Sequence, residues 1–276
     1  MRPEVSEGRP KHIVDFHTHA FPEKVAARAA ASLTRDYEVE VVAEPTIPGL
    51  LRVMGECGVD VSVVAPVATR ADQVRSINDW AAGVNGDRIA AFGALHPELD
   101  DLAGEVERVL TLGLRGVKLQ PNFQQFSPDD ERMWPAYEAA EGRLVVLFHS
   151  GQEIRALDRV HATPAAVAQV HQRFPRLVMV VAHMGGYQMW QEVRRDLVGR
   201  AVYFDTSYCH ETDLGDEEFA EMVRAHGADR VVFGTDFPWA HPGRDVARLM
   251  RIGLEPREVE AIAWENARDL LGLGLT

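Results

Sequence analysis

Short Val-rich apolar runs alternate with amphipathic stretches along the whole chain. Eight runs stand out: HIVDFHTHA (12–20), VDVSVVAPVAT (59–69), RIAAFGALHP (88–97), LRGVKLQP (114–121), LVVLFHSG (144–151), LVMVVAHMGG (177–186), AVYFDTSYC (201–209) and RVVFGTDFPW (230–239). Their hearts are continuously apolar rather than alternating, and most end in Gly, Pro or a polar residue, as strands buried on both faces do. Between them, 72–85 and 101–113 carry apolar residues at three- and four-residue spacing. Segment 127–141 opens with Ser-Pro and an acidic turn, and Pro135 marks a break or a second start. Segment 163–175 has Thr163 as cap and Pro164 at the first helical position. Segment 255–272 predicts one or two closing helices, and 21–58 a helical insertion after the first strand. Eight strands alternating with helices imply a parallel α/β sheet with right-handed crossovers. The count favours a (β/α)8 TIM barrel over an open doubly wound sheet, because no G-x-G-x-x-G follows any strand. With no repeat, linker or shift in composition, residues 1–276 read as a single domain.

Composition narrows the partners. A chain of 276 residues suits a barrel of about 250. A net charge of −13, spread along the chain, argues against nucleic acid and anionic membrane as partners. No run approaches a membrane span, and the polar start lacks a signal-like apolar region, so a cytoplasmic location is expected. Cys57 and Cys209 make no metal-binding pair and read as buried thiols.

The chemistry lies at the strand ends. His17, His19, His96, His149 and His183 sit near the C-terminal ends of strands 1, 3, 5 and 6, Lys118 near that of strand 4, and Asp236 at the end of strand 8. In a barrel those ends meet at one mouth. The strand period of two puts His17 and His19 on one face together with Asp15, about 6.5 Å apart along the strand, where two imidazoles can converge on one ion. The plain alternatives are core histidines for His149 and His183 and an ion pair for Asp236. Lys118 reads as a substrate-carboxylate contact, an ion pair or a carbamylated bridge, and Gln120 shares its parity. Trp239, Phe21 and Pro22 line a pocket or simply pack. Arg70 and Arg155 are candidate carboxylate grips. His161, His171 and His226 read as surface residues. His96, His210 and His241 follow strands 3, 7 and 8.

The set DFHTHAFP, GVKLQPNFQ, VLFHSG, VVAHMGG, FGTDFPW and ENARDLL resembles the amidohydrolase superfamily over about residues 12–272. More narrowly, it is similar to the amidohydrolase-related branch that includes aminocarboxymuconate-semialdehyde decarboxylase and pyrone-dicarboxylate lactonase. The resemblance implies His17, His19, His149 and Asp236 as metal ligands. It gives Asp236 a second role in accepting a proton, and makes His183 the catalytic group that polarises or protonates substrate. In some members the match to His183 binds a second ion. Three imidazoles and a carboxylate suit Zn²⁺ first and tolerate Mn²⁺, Fe²⁺ or Co²⁺. The leading expectation is a hydrolase that uses a metal-activated water on a small carboxylate, lactone, ester or amide. The alternative is a non-oxidative decarboxylase on the same site, and a catalytically silent metal-binding barrel comes third. Lys118, Gln120 and Trp239 are the expected substrate contacts; a homo-oligomer is left open.

Overall fold

The computed structural model describes residues 9–37 and 39–274. Parallel strands alternate with helices throughout, the order of an α/β chain of the (β/α)8 class. The chain divides into two compact units: residues 9–64, 87–89 and 205–274, and residues 65–86 and 90–204.

In the first unit, β1 (Val14–Thr18) pairs in parallel with β2 (Val61–Val64), with Val14 beside Val61 and Asp15 beside Ser62. On the other side of β1 lies β9 (Val231–Val232), because the Phe16 N–H donates to the Phe233 carbonyl at 2.7 Å. Phe16, Val63 and Phe233 are buried, as a strand covered on both faces requires. The insertion after β1 forms two helices, α1 (Glu23–Tyr37) and α2 (Ile47–Cys57). Thr46 caps α2 by accepting from the Gly49 N–H at 3.1 Å. Two helices absent from the sequence reading, α9 (Asp216–His226) and α10 (Pro242–Arg251), follow the strand ends. The closing segment is one helical run, α11 (Pro256–Glu260) and α12 (Asn266–Leu271), joined by a π-turn at Ala261–Glu265. A π-turn frees carbonyls from the helical ladder. Ile262 uses its carbonyl to accept from the Phe233 N–H at 2.8 Å, which anchors the chain just past β9.

The second unit carries α3 (Val74–Val84), β4 (Gly93–Ala94), α4 (Leu102–Thr111), β5 (Gly116–Leu119) and a short α5 (Pro121–Gln124). Next come α6 (Trp134–Ala140), β6 (Val145–Phe148), α7 (Pro164–Arg173), β7 (Val178–Val181), a further unanticipated helix α8 (Trp190–Asp196), and β8 (Tyr203–Asp205), whose last residue belongs to the first unit. The sheet runs β4-β5-β6-β7-β8, all neighbours parallel. The expected third strand is split: β3 (Ile89–Ala91) and β4 flank Phe92. Pro135 stands in the first turn of α6, after a 3-10 turn at Glu131–Met133, so the second start is the correct alternative.

Three histidines depart from the surface role expected of them. His226 is buried at the end of α9, and His161 and His171 are half-buried, because their faces of chain turn inward. Cys57 and Cys209 are free, buried thiols, as read from their spacing. Among the described residues no helix is long and apolar enough to cross a membrane.

Gly151 marks a close backbone approach between the loops after β6 and β7. Its φ is +89°, and a Cβ would meet the Tyr187 nitrogen at 2.2 Å. Gly151→Ala is therefore expected to cost about 3 kcal/mol, read as a lowered urea midpoint. Gly55 stands exposed in α2 with open space around it, so Gly55→Ala should stabilise by about 0.5–1 kcal/mol.

Candidate metal centre

In the first unit, the strand-end residues of β1 meet the loop after β9. The donor atoms of His17, His19 and Asp236 all lie within 4.8 Å of one another, the one such group among the described residues. Asp236 Oδ1 is 3.1 Å from His19 Nε2 and 3.6 Å from His17 Nε2. Local backbone places the carboxylate there. Asp236 has φ of +70°, a left-handed conformation uncommon for a non-glycine residue. Its N–H donates to the His17 carbonyl at 2.8 Å. Its neighbour Thr235 is clamped by Asp15, whose carboxylate accepts from the Thr235 N–H at 3.0 Å and the Thr235 hydroxyl at 2.7 Å. Burial pushes the Asp15 carboxyl well above the usual range, against those donors.

His17 is oriented from behind by a carboxylate that the sequence reading passed over. Asp205, fully buried at the end of β8, accepts from His17 Nδ1 at 2.8 Å and from the Ser207 hydroxyl at 2.5 Å. With its Nδ1 proton held there, the His17 ring turns the Nε2 lone pair toward Asp236, the arrangement that orients a metal-ligating histidine. Two imidazole nitrogens and a carboxylate oxygen, one imidazole already backed by a second carboxylate, fit a divalent cation. Trp239 stands beside the group, its ring 5.2 Å from that of His19. Further along the same loops, the Tyr208 and His210 rings are 4.5 Å apart. Burial and the Asp236 charge push the Tyr208 phenol up to about 12. A small cleft lies there, lined also by Asp245 and Arg248 of α10. Burial raises the Asp245 carboxyl to about 6. His241 caps α10, accepting from the Gly243 N–H at 3.2 Å.

In the second unit, His149 directly follows β6, His183 lies two residues past β7, and both are buried. His183 Nε2 and His149 Nδ1 are 3.1 Å apart. His183 has φ of +60°, and its carbonyl accepts from the Trp190 indole at 3.2 Å. The Gly-Gly after it admits side chains: a Cβ on Gly185 would meet Phe204 and Val193 at 2.8 Å. Glu153, also overlooked in the sequence, lies 3.0 Å from His149 Nε2. Burial pushes its carboxyl up, but His149 and the amides of Gln120 and Asn122 outweigh this and hold it below the usual range. Gln120 is thus engaged at both ends, donating to Glu153 at 2.9 Å and accepting from the Asn122 N–H at 3.1 Å. Lys118 is buried within β5. Arg70 is exposed and paired with Asp72 at 2.9 Å. His96 is buried after β4, and burial lowers its pKa.

The chain belongs to the amidohydrolase family, whose model matches residues 14–273. No curated protein matches the sequence. Solved structures share its fold. A 5-carboxyvanillate decarboxylase from Sphingomonas paucimobilis is 17% identical with a TM-score of 0.72, over 95% of this chain and 99% of that one. An uncharacterized TIM-barrel protein from Bordetella bronchiseptica is 21% identical with a TM-score of 0.73, over 95% and 99%. A dihydroxybenzoic acid decarboxylase from Polaromonas sp. JS666, with bound manganese and the inhibitor 2-nitroresorcinol, is 18% identical with a TM-score of 0.71, over 96% and 98%. The fold is a (β/α)8 TIM barrel.

Asp205→Asn tests the orientation of His17. The variant is expected to weaken Zn²⁺ or Mn²⁺ affinity by about 10–100-fold in a metal titration while the fold is kept.

Proposed function

We propose that the protein is a metal-dependent, non-oxidative decarboxylase of a small aromatic carboxylate. The observation that carries the metal-dependent part of this reading is the His17–His19–Asp236 group, with Asp205 behind His17, in an amidohydrolase-family chain. Its fold is shared with decarboxylases of 5-carboxyvanillate and dihydroxybenzoic acid, the latter with bound manganese. This favours the alternative of the sequence reading over hydrolysis. It also puts Mn²⁺ beside Zn²⁺ as the candidate ion. When bound, the ion would act as a Lewis acid on a substrate oxygen.

The chain's own residues supply the rest. His17, His19 and Asp236 would hold the ion, and the resemblance adds His149. Trp239 offers an aromatic face beside His19 against which a substrate ring can stack. Decarboxylation breaks the ring–carboxylate bond, leaves the electron pair on the ring carbon and requires a proton there as CO2 departs. His183 is assigned that transfer, since an imidazole gives and takes protons near neutral pH. Lys118 stays assigned to the substrate as an amine rather than a carbamate.

Protein made in metal-replete medium should hold about one divalent ion per chain by elemental analysis, and should release CO2 from hydroxylated benzoates. Hydrolysis of lactones or esters without any CO2 release would return the reading to a hydrolase. His183→Asn is expected to keep most of the metal and lose turnover by roughly 10²–10⁴-fold. His149→Asn should lose metal and turnover together. Equal metal loss in both variants would make His183 a ligand.

A further inference from the structure

Glu153 sits at the centre of a built arrangement. Three donors converge on its Oε1: His149 Nε2 at 3.0 Å, Gln120 Nε2 at 2.9 Å and Asn122 Nδ2 at 2.8 Å. The two amides are themselves immobilised. Gln120 Oε1 accepts from the N–H groups of Asn122 and Phe123, at 3.1 and 3.3 Å. Asn122 Oδ1 accepts from those of His161 and Ala162, at 2.9 and 3.1 Å. Asn122 Nδ2 also donates to the Gly151 carbonyl at 3.0 Å. Glu153 is 7% exposed, so water does not set its position.

The consequence falls on His149. Its Nε2 faces only acceptors, the Glu153 carboxylate and the Gln152 carbonyl at 3.2 Å. Nε2 must therefore carry the proton of the neutral ring. The lone pair is then on Nδ1, which faces His183 Nε2 at 3.1 Å. Two lone pairs at that separation would repel, so a proton or a cation lies between the rings.

We propose that Glu153 is a positioning residue: it holds His149 as the Nε2–H tautomer, so that Nδ1 is the nitrogen His149 presents to His183 and to a metal ion. The part concerning metal rests on the proposed function; the tautomer does not. A carboxylate behind the imidazole raises its basicity and fixes its ring, and loss of such a partner typically weakens metal binding about 10–100-fold.

The test uses the full chain with its histidines ¹⁵N-labelled, without metal, in long-range ¹⁵N–¹H correlation spectra, with His149→Gln identifying the His149 signals. The expected result is an Nε2–H pattern for His149 in the native chain. That pattern is lost or mixed with Nδ1–H in Glu153→Met, which keeps the volume but removes the acceptor. An Nδ1–H pattern in the native chain overturns the proposal without any variant. So does an unchanged Nε2–H pattern in a folded Glu153→Met. If that variant does not fold, Glu153→Gln is read in its place, with the Nε2–H share expected to fall and an unchanged share counting against the proposal. A Zn²⁺ titration then reports the second consequence. Glu153→Gln is expected to bind about 10–100-fold more weakly than the native chain, and equal affinity overturns the role toward metal. A native chain that takes up no Zn²⁺ or Mn²⁺ would remove the proposed function, and the tautomer spectra alone would then decide the role of Glu153.

Discussion

The candidate metal centre depends on the seam between β1 and the loop after β9. Asp15 accepts two hydrogen bonds from Thr235, 220 residues away in sequence. The next N–H, that of Asp236, closes on the His17 carbonyl. These contacts hold Asp236 in a left-handed conformation that costs on the order of 1–3 kcal/mol for a non-glycine residue. An extended Asp236 would carry its carboxylate elsewhere. Local strain, a buried carboxylate and the geometry of the ligand group are therefore one arrangement. It also explains why Asp15 shares the parity of His17: the face that bears the first ligand bears the clamp for the last.

The two units use the same device on different histidines. Asp205 holds Nδ1 of His17, and Glu153 faces Nε2 of His149. A free imidazole interconverts between tautomers, and a ligand or proton donor must present one defined nitrogen. A buried carboxylate on one nitrogen settles which one the ring presents. Burying a carboxylate is costly unless it is well bonded. Both are: Asp205 by His17 and Ser207, Glu153 by His149, Gln120 and Asn122.

Much of the fold was legible because strands buried on both faces leave continuous apolar runs, and every run contains a strand. His17, His19 and Asp236 were legible as ligand-type residues at strand ends. Asp205 and Glu153 were not. Their role is set by a partner's ring nitrogen, and Asp205 lies 188 residues from His17, so no local period marks it. Gln120 shows what parity leaves out. Parity placed it on an interior wall, and its amide also bonds the start of α5 and Glu153, contacts that no period marks. The short, charged helix α8 lacks the length at which helical spacing stands out, and His226 turns inward because α9 buries the face on which it ends.

The choice between hydrolysis and decarboxylation turns on where a proton must go. Both reactions ask the ligand group to hold a cation against a substrate oxygen, so the donor set cannot separate them. Hydrolysis takes a proton from water and returns it to a leaving oxygen or nitrogen. Decarboxylation delivers a proton to carbon, which accepts it slowly, so the donor must be held in one orientation while CO2 leaves. His183 is buried, and its Nε2 faces a His149 ring that Glu153 holds in place, so its orientation is fixed. A fixed, buried imidazole serves that delivery in the proposed decarboxylation, as it would serve the proton return of hydrolysis.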